Sequence, residues 1–156
     1  MTDVAFREKY GPWAVVAGAS DGVGATFARA VASRGLNVVL LSRRQAVLDE
    51  LAADIRAAHG VETRAEAVDL AVPGAAERVL EITADLEVGM LMYNAGADPY
   101  YQHFLDYGVE PQLDLIQRNC VVPTVLCHHY AGKMKERGRG GIVLVRSAGG
   151  TIGRSE

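Results

Sequence analysis

In "GASDGVG", three glycines, Gly18, Gly22 and Gly24, stand between an apolar run ending at Ala17 and a segment with helical periodicity. A chain reversing from strand to helix needs a residue tolerant of positive φ. A pyrophosphate needs close backbone approach, and the helix must then pack against the strand. Gly18, Gly22 and Gly24 are expected to meet these demands in that order, with Ser20 inside the turn. The helix starting near Val23 would offer its unpaired N–H groups and the positive end of its dipole to the phosphates.

Where a dinucleotide-binding chain places the residue that reads the adenosine ribose, the sequence continues Ser42-Arg43-Arg44. A free 2′-hydroxyl calls for Asp or Glu at that point, whereas a 2′-phosphate calls for a guanidinium. Two arginines and no acid favour NADP(H) over NAD(H), with Arg43 as the 2′-phosphate partner.

Other chemistry-bearing residues point to less. His128 and His129 beside Cys127 cannot converge on one ion, because neighbouring helical side chains point about 100° apart. No metal site is expected. Cys120 and Cys127 lie seven residues apart on one helix, about 10 Å, too far to bridge without distortion. Ser147 has no histidine base in a nucleophile-elbow context and is a poor hydrolase candidate.

Holding the glycine turn and the arginines requires a scaffold, and five apolar bursts supply its strands: 13–18, 36–42, 63–69, 88–96 and 141–147. Between them run helical patterns such as Phe27, Ala30 and Val31 or Leu48, Leu51 and Ile55, with Gly35 and Gly60 placed as left-handed helix terminators. Strands that are apolar on both faces and alternate with helices indicate a doubly wound α/β fold of Rossmann type. Residues 1–156 are read as a single dinucleotide-binding domain without repeat or linker.

With these motifs in this order, the chain resembles the short-chain dehydrogenase/reductase family over nearly its whole length. The glycine spacing matches T-G-x-x-x-G-x-G with Ala17 in place of Thr, and "YNAG" at 93–96 is similar to N-N-A-G with Tyr93 replacing the first Asn. The resemblance implies a parallel sheet of order 3-2-1-4-5, truncated after the fifth strand. It implies adenine contacts from Asp69 and Leu70, and cofactor contacts from Asn94, Ala95 and Gly96. It also makes Ser147, at the end of "GGIVLVRS", the serine that polarises the substrate carbonyl.

Asn119 and Pro123 stand at i and i+4, and proline lacks the N–H that would bond the carbonyl of Asn119. A loosened turn there suits the family's use of this asparagine to hold a water in a proton relay. The family's chemistry moves a hydride between nicotinamide and a carbonyl or alcohol carbon. A tyrosine with a nearby lysine, Y-x-x-x-K, exchanges the proton on the helix after the serine.

No such pair occurs in the 156 residues: Ala14, Ala97, Phe104, Leu105, Pro111 and Met134 stand four places after the tyrosines. The chain is therefore expected to be the NADP(H)-binding portion of such an oxidoreductase, inactive alone. Its substrate class in the complete enzyme is a small carbonyl or alcohol. The alternative is a non-catalytic nucleotide- or partner-binding module.

Composition sets the remaining bounds. A net charge of −3 with 49% hydrophobic and 22% charged residues gives no attraction to nucleic acid or an anionic membrane surface. No apolar run approaches the roughly 18 residues of a membrane span, and a cytoplasmic protein is expected. A fifth strand left as an edge, with one face of the sheet uncovered, favours a homo-oligomer.

Overall fold

The computed structural model describes residues 3–96, 104–106 and 108–146. Five strands, β1 (Trp13–Ala17), β2 (Asn37–Ser42), β3 (Thr63–Ala67), β4 (Val88–Tyr93) and β5 (Gly141–Leu144), form one sheet of order β3-β2-β1-β4-β5, with every pairing parallel. All five coincide with the apolar bursts.

Side chains alternate between two cores, as a period of two dictates. Val15, Val39 and Leu91 join one core with Val79, Leu126 and Tyr130. Ala14, Val16, Leu40 and Met92 join the other with Ala28, Val31, Leu48 and Ile55. The covering helices are α2 (Gly22–Ala32) and α3 (Gln45–His59) on one face, and α4 (Ala75–Ile82) and α6 (Val122–Arg137) on the other. Cutting a fully buried leucine such as Leu40 or Leu91 to alanine is expected to cost about 2–5 kcal/mol.

β3 is an edge strand and is only half-buried. Its charges find partners next door: Arg64 makes a two-pronged ion pair with Asp85, at 2.7 and 2.9 Å, and also bonds the carbonyl of Ile82. Gly60 and Gly138 end α3 and α6 in the left-handed region, at φ 66° and 68°.

One element goes beyond the sequence reading. Residues Asp3–Tyr10 form a helix, α1, whose Phe6 and Tyr10 pack against the second core. Asp3 sits in its first turn and Arg7 and Lys9 in its last, the arrangement its dipole favours. Arg34 anchors it from α2's exit, bonding Asp3 at 3.1 Å and lying 4.4 Å from the centre of the Phe6 ring.

The long helical segment after β4 is two helices, α5 (Val109–Ile116) and α6, joined by a π-helical turn at Gln117–Val121. The N–H of Val122 bonds the carbonyl of Gln117, five residues back. This is the loosened turn anticipated from Asn119 and Pro123: a proline at the head of α6 cannot complete the ordinary ladder, and the chain accommodates an extra residue.

Candidate dinucleotide cleft

β1 has β2 on one side and β4 on the other, so the strand order reverses there and a crevice opens at the carboxyl ends. The loops leaving those ends are knitted together. Gly18 N–H and Ala19 N–H donate to the carbonyl of Leu41, Asn94 N–H to that of Ala17, and Val68 N–H to that of Ser42. The Asn94 side chain donates to the carbonyl of Gly18 at 3.3 Å. That bond ties the glycine turn to β4 although Ala17 and Tyr93 replace the residues the family pattern has there.

Each glycine occupies a different kind of space. Gly18 has φ 85° and faces the backbone of Asn94 and Ala95, with 2.8 Å from a notional Cβ to the Ala95 nitrogen. Gly24 is buried, and a Cβ there would overlap the carbonyl of Gly18. Gly22, at φ 51°, has nothing within 4 Å of a notional Cβ: it borders open space. One position turns the chain, one seats α2 on the turn, and the middle one is open. α2 starts at Gly22, one residue ahead of Val23, because the Asp21 carboxylate caps it by accepting from Gly22 N–H at 2.7 Å. Val23 lies exposed in the first turn.

A cavity of about 280 Å³ lies in the crevice, near the lower end of the small-ligand range. Gly18, Ser20, Arg43, Asp69, Leu70, Ala95 and Gly96 line it. Gly22, Val23, Gly24 and Asn94 do not; Gly24 and Asn94 shape the turn from behind. The Asp69 carboxylate accepts from Ala71 N–H at 3.0 Å, which fixes the loop after β3.

Ser42 and Arg44, the neighbours of Arg43 in the sequence signal, line the same cavity, as do Val68 and Arg118, which carry no sequence signal. The guanidinium of Arg44 donates to the hydroxyl of Ser20 at 3.2 Å and to its carbonyl at 3.4 Å, strapping the glycine turn to the end of β2.

A second cavity, of about 800 Å³, shares Ala95 and Gly96 with the first and is otherwise lined by Tyr93, by Asn119 and Cys120 of the π-turn, by residues of α6, and by the end of β5 with the two residues after it. Asn119 thus stands in the second cavity, where its side-chain oxygen occupies the space that a Cβ on Gly96 would need. Ser147 lies outside the described residues. Neither buried tyrosine nearby is suited to proton transfer near neutrality. Burial pushes the Tyr93 phenol well up, and its hydroxyl donates to the carbonyl of Arg118 at 2.5 Å. Burial likewise raises Tyr130, which pairs with the Thr83 hydroxyl at 2.7 Å. Both cysteines are free thiols, and no group of side chains suited to hold a metal occurs among the described residues.

A doubly wound sheet with a glycine-lined crevice at its switch point defines a Rossmann-type α/β protein. The short chain dehydrogenase family model matches residues 12–156, and the chain belongs to that family. It is similar to the 7beta-hydroxysteroid dehydrogenase of Clostridium sardiniense, 40% identical over 146 residues that make up 93% of this chain and 55% of that protein. A solved 7beta-hydroxysteroid dehydrogenase superposes with a TM-score of 0.90 at 36% identity, over 97% of this chain and 58% of that one. A short-chain dehydrogenase from Sphingobium yanoikuyae, solved in complex with NADPH, gives 0.84 at 34% identity, over 91% and 56%. The chain spans about half the length of the curated relatives it matches.

Proposed function

We propose that residues 1–156 form the NADP(H)-binding portion of a short-chain oxidoreductase that interconverts a small carbonyl compound and its alcohol. The observation that carries this reading is the first cavity. Gly18 and Ser20 from the glycine turn, Arg43 just after β2, Asp69 and Leu70 from the loop after β3, and Gly96 from the loop after β4 meet around one space. The NADPH complex of the Sphingobium relative supports the choice of cofactor.

The residues present fit a phosphorylated dinucleotide. Open space at Gly22 leaves the diphosphate a path to the first N–H groups of α2. Arg43 supplies a guanidinium at the ribose end, and Asp69 and Leu70 supply the adenine wall. Gly96, shared by both cavities, lets the dinucleotide pass toward Asn119. The nicotinamide, when bound, carries the hydride. Asn119 holds a water of the proton relay and Ser147 polarises the carbonyl.

Two finer features belong to the same reading. The protein works in the cytoplasm; among the described residues no helix is long and apolar enough to cross a membrane. Copies of the protein associate with one another, and sedimentation showing only monomers would count against this.

Turnover separates this reading from its parts. The purified 156-residue chain, incubated with NADPH and a panel of ketones, is expected to bind the cofactor without oxidising it, because no Y-x-x-x-K pair is present. Ketone-dependent NADPH oxidation at an enzymatic rate would overturn that division of labour.

A further inference from the structure

Arg118 belongs to neither the glycine turn nor the strand ends, yet it lines the first cavity with Arg43, Arg44 and Asp69. It reaches the cavity from the π-turn, and its main chain is held there by an unusual strut. Tyr93 stands where the family pattern has asparagine. The residue is 4% exposed, and its hydroxyl crosses from the end of β4 to the Arg118 carbonyl at 2.5 Å. Burial pushes the phenol's pKa up, which favours its protonated, donating form. Asn119, the next residue, is seated against Gly96, so two neighbouring contacts fix this turn against the carboxyl end of β4.

We propose that Arg118 is an adenine-binding residue of this cleft, its planar guanidinium lying on the face of the base, and that Tyr93 positions it. The inference rests on the NADP(H) reading of the first cavity. On that reading the anionic groups of the ligand would have other partners, the diphosphate at the head of α2 and the 2′-phosphate at Arg43, which lines the cavity. Arg44 is engaged with Ser20. The base remains, beside Val68, Asp69 and Leu70, and a half-buried guanidinium binds an aromatic face well because it is planar and weakly hydrated.

Calorimetric titration of the 156-residue chain with NADPH, NADH and nicotinamide mononucleotide tests this. Arg118→Ala should weaken NADPH and NADH by the same factor, roughly fivefold to tenfold, and leave nicotinamide mononucleotide unchanged. Arg118→Lys, which keeps the charge but not the plane, should lose nearly as much. Tyr93→Phe should weaken both dinucleotides by a smaller factor, and should add no loss in the Arg118→Ala background, which a merely structural role for Tyr93 would not produce. A loss confined to NADPH would make Arg118 a phosphate ligand and overturn the proposal, as would unchanged affinity in Arg118→Ala. If the unsubstituted chain binds neither dinucleotide, it is the underlying reading of the cleft that fails.

Discussion

Gly24 lies against the carbonyl of Gly18 so closely that any side chain on it would overlap that oxygen. The contact joins the first turn of α2 to the end of β1 and sets how near the helix can come to the sheet. Gly24→Ala is therefore expected to destabilise the domain by about 2–4 kcal/mol, read as a fall in urea midpoint. Gly22→Ala meets no neighbour and carries only the strain of its left-handed backbone, about 1–2 kcal/mol. The second variant should fold and lose NADPH affinity, because its methyl group enters the ligand's space.

Arg43 is exposed at the mouth of the first cavity, while Arg44 is engaged with Ser20. Arg43→Asp should weaken NADPH by at least about tenfold, some 1.4 kcal/mol, and NADH by less. Equal losses in paired titrations would reject the assignment of the 2′-phosphate to this side chain.

Gly96 and the Asn119 side chain compete for one space. Gly96→Ala should displace the asparagine amide and lower the melting temperature, and Asn119→Ala should relieve part of that loss. A double-mutant cycle reads the coupling, expected at roughly 0.5–3 kcal/mol. Additive effects would show that the two residues do not touch.

Asp85 is held down to about 2, first by its hydrogen bonds from Arg64. A depressed carboxyl stabilises the fold above its unfolded pKa of about 4, and that contribution disappears as pH falls toward 2. The gap in melting temperature between the unsubstituted chain and Asp85→Asn should be present at pH 6, shrink below pH 4 and close near pH 2. The pair is exposed to solvent, so added salt should narrow the gap as well. A gap constant across that range would contradict the assignment.

How much of this was legible in the sequence depended on how local each signal is. The strands could be read because β1, β2 and β4 are apolar on both faces, which only a sheet covered on two sides requires. The glycine roles could be read because strand, turn and helix are consecutive. Pro123 announced a loosened turn but not its π-helical form, which also depends on how β4 and the turn meet. Arg118 could not be read, nor could the bond from Arg44 to Ser20, because a long side chain can reach several sites and only the packed fold selects one. Arg64 and Asp85 lie on different elements, β3 and the loop after α4, and no sequence spacing connects them. Ser147 was assigned by resemblance alone.

The crevice at the end of β1 is proposed to bind a phosphorylated dinucleotide. The most direct test of that binding is calorimetric titration of the purified 156-residue chain with NADPH and with NADH under identical salt and pH. The account predicts saturable one-to-one binding of NADPH, at least about tenfold tighter than NADH. Equal affinity for the two, or no binding of either, would contradict it.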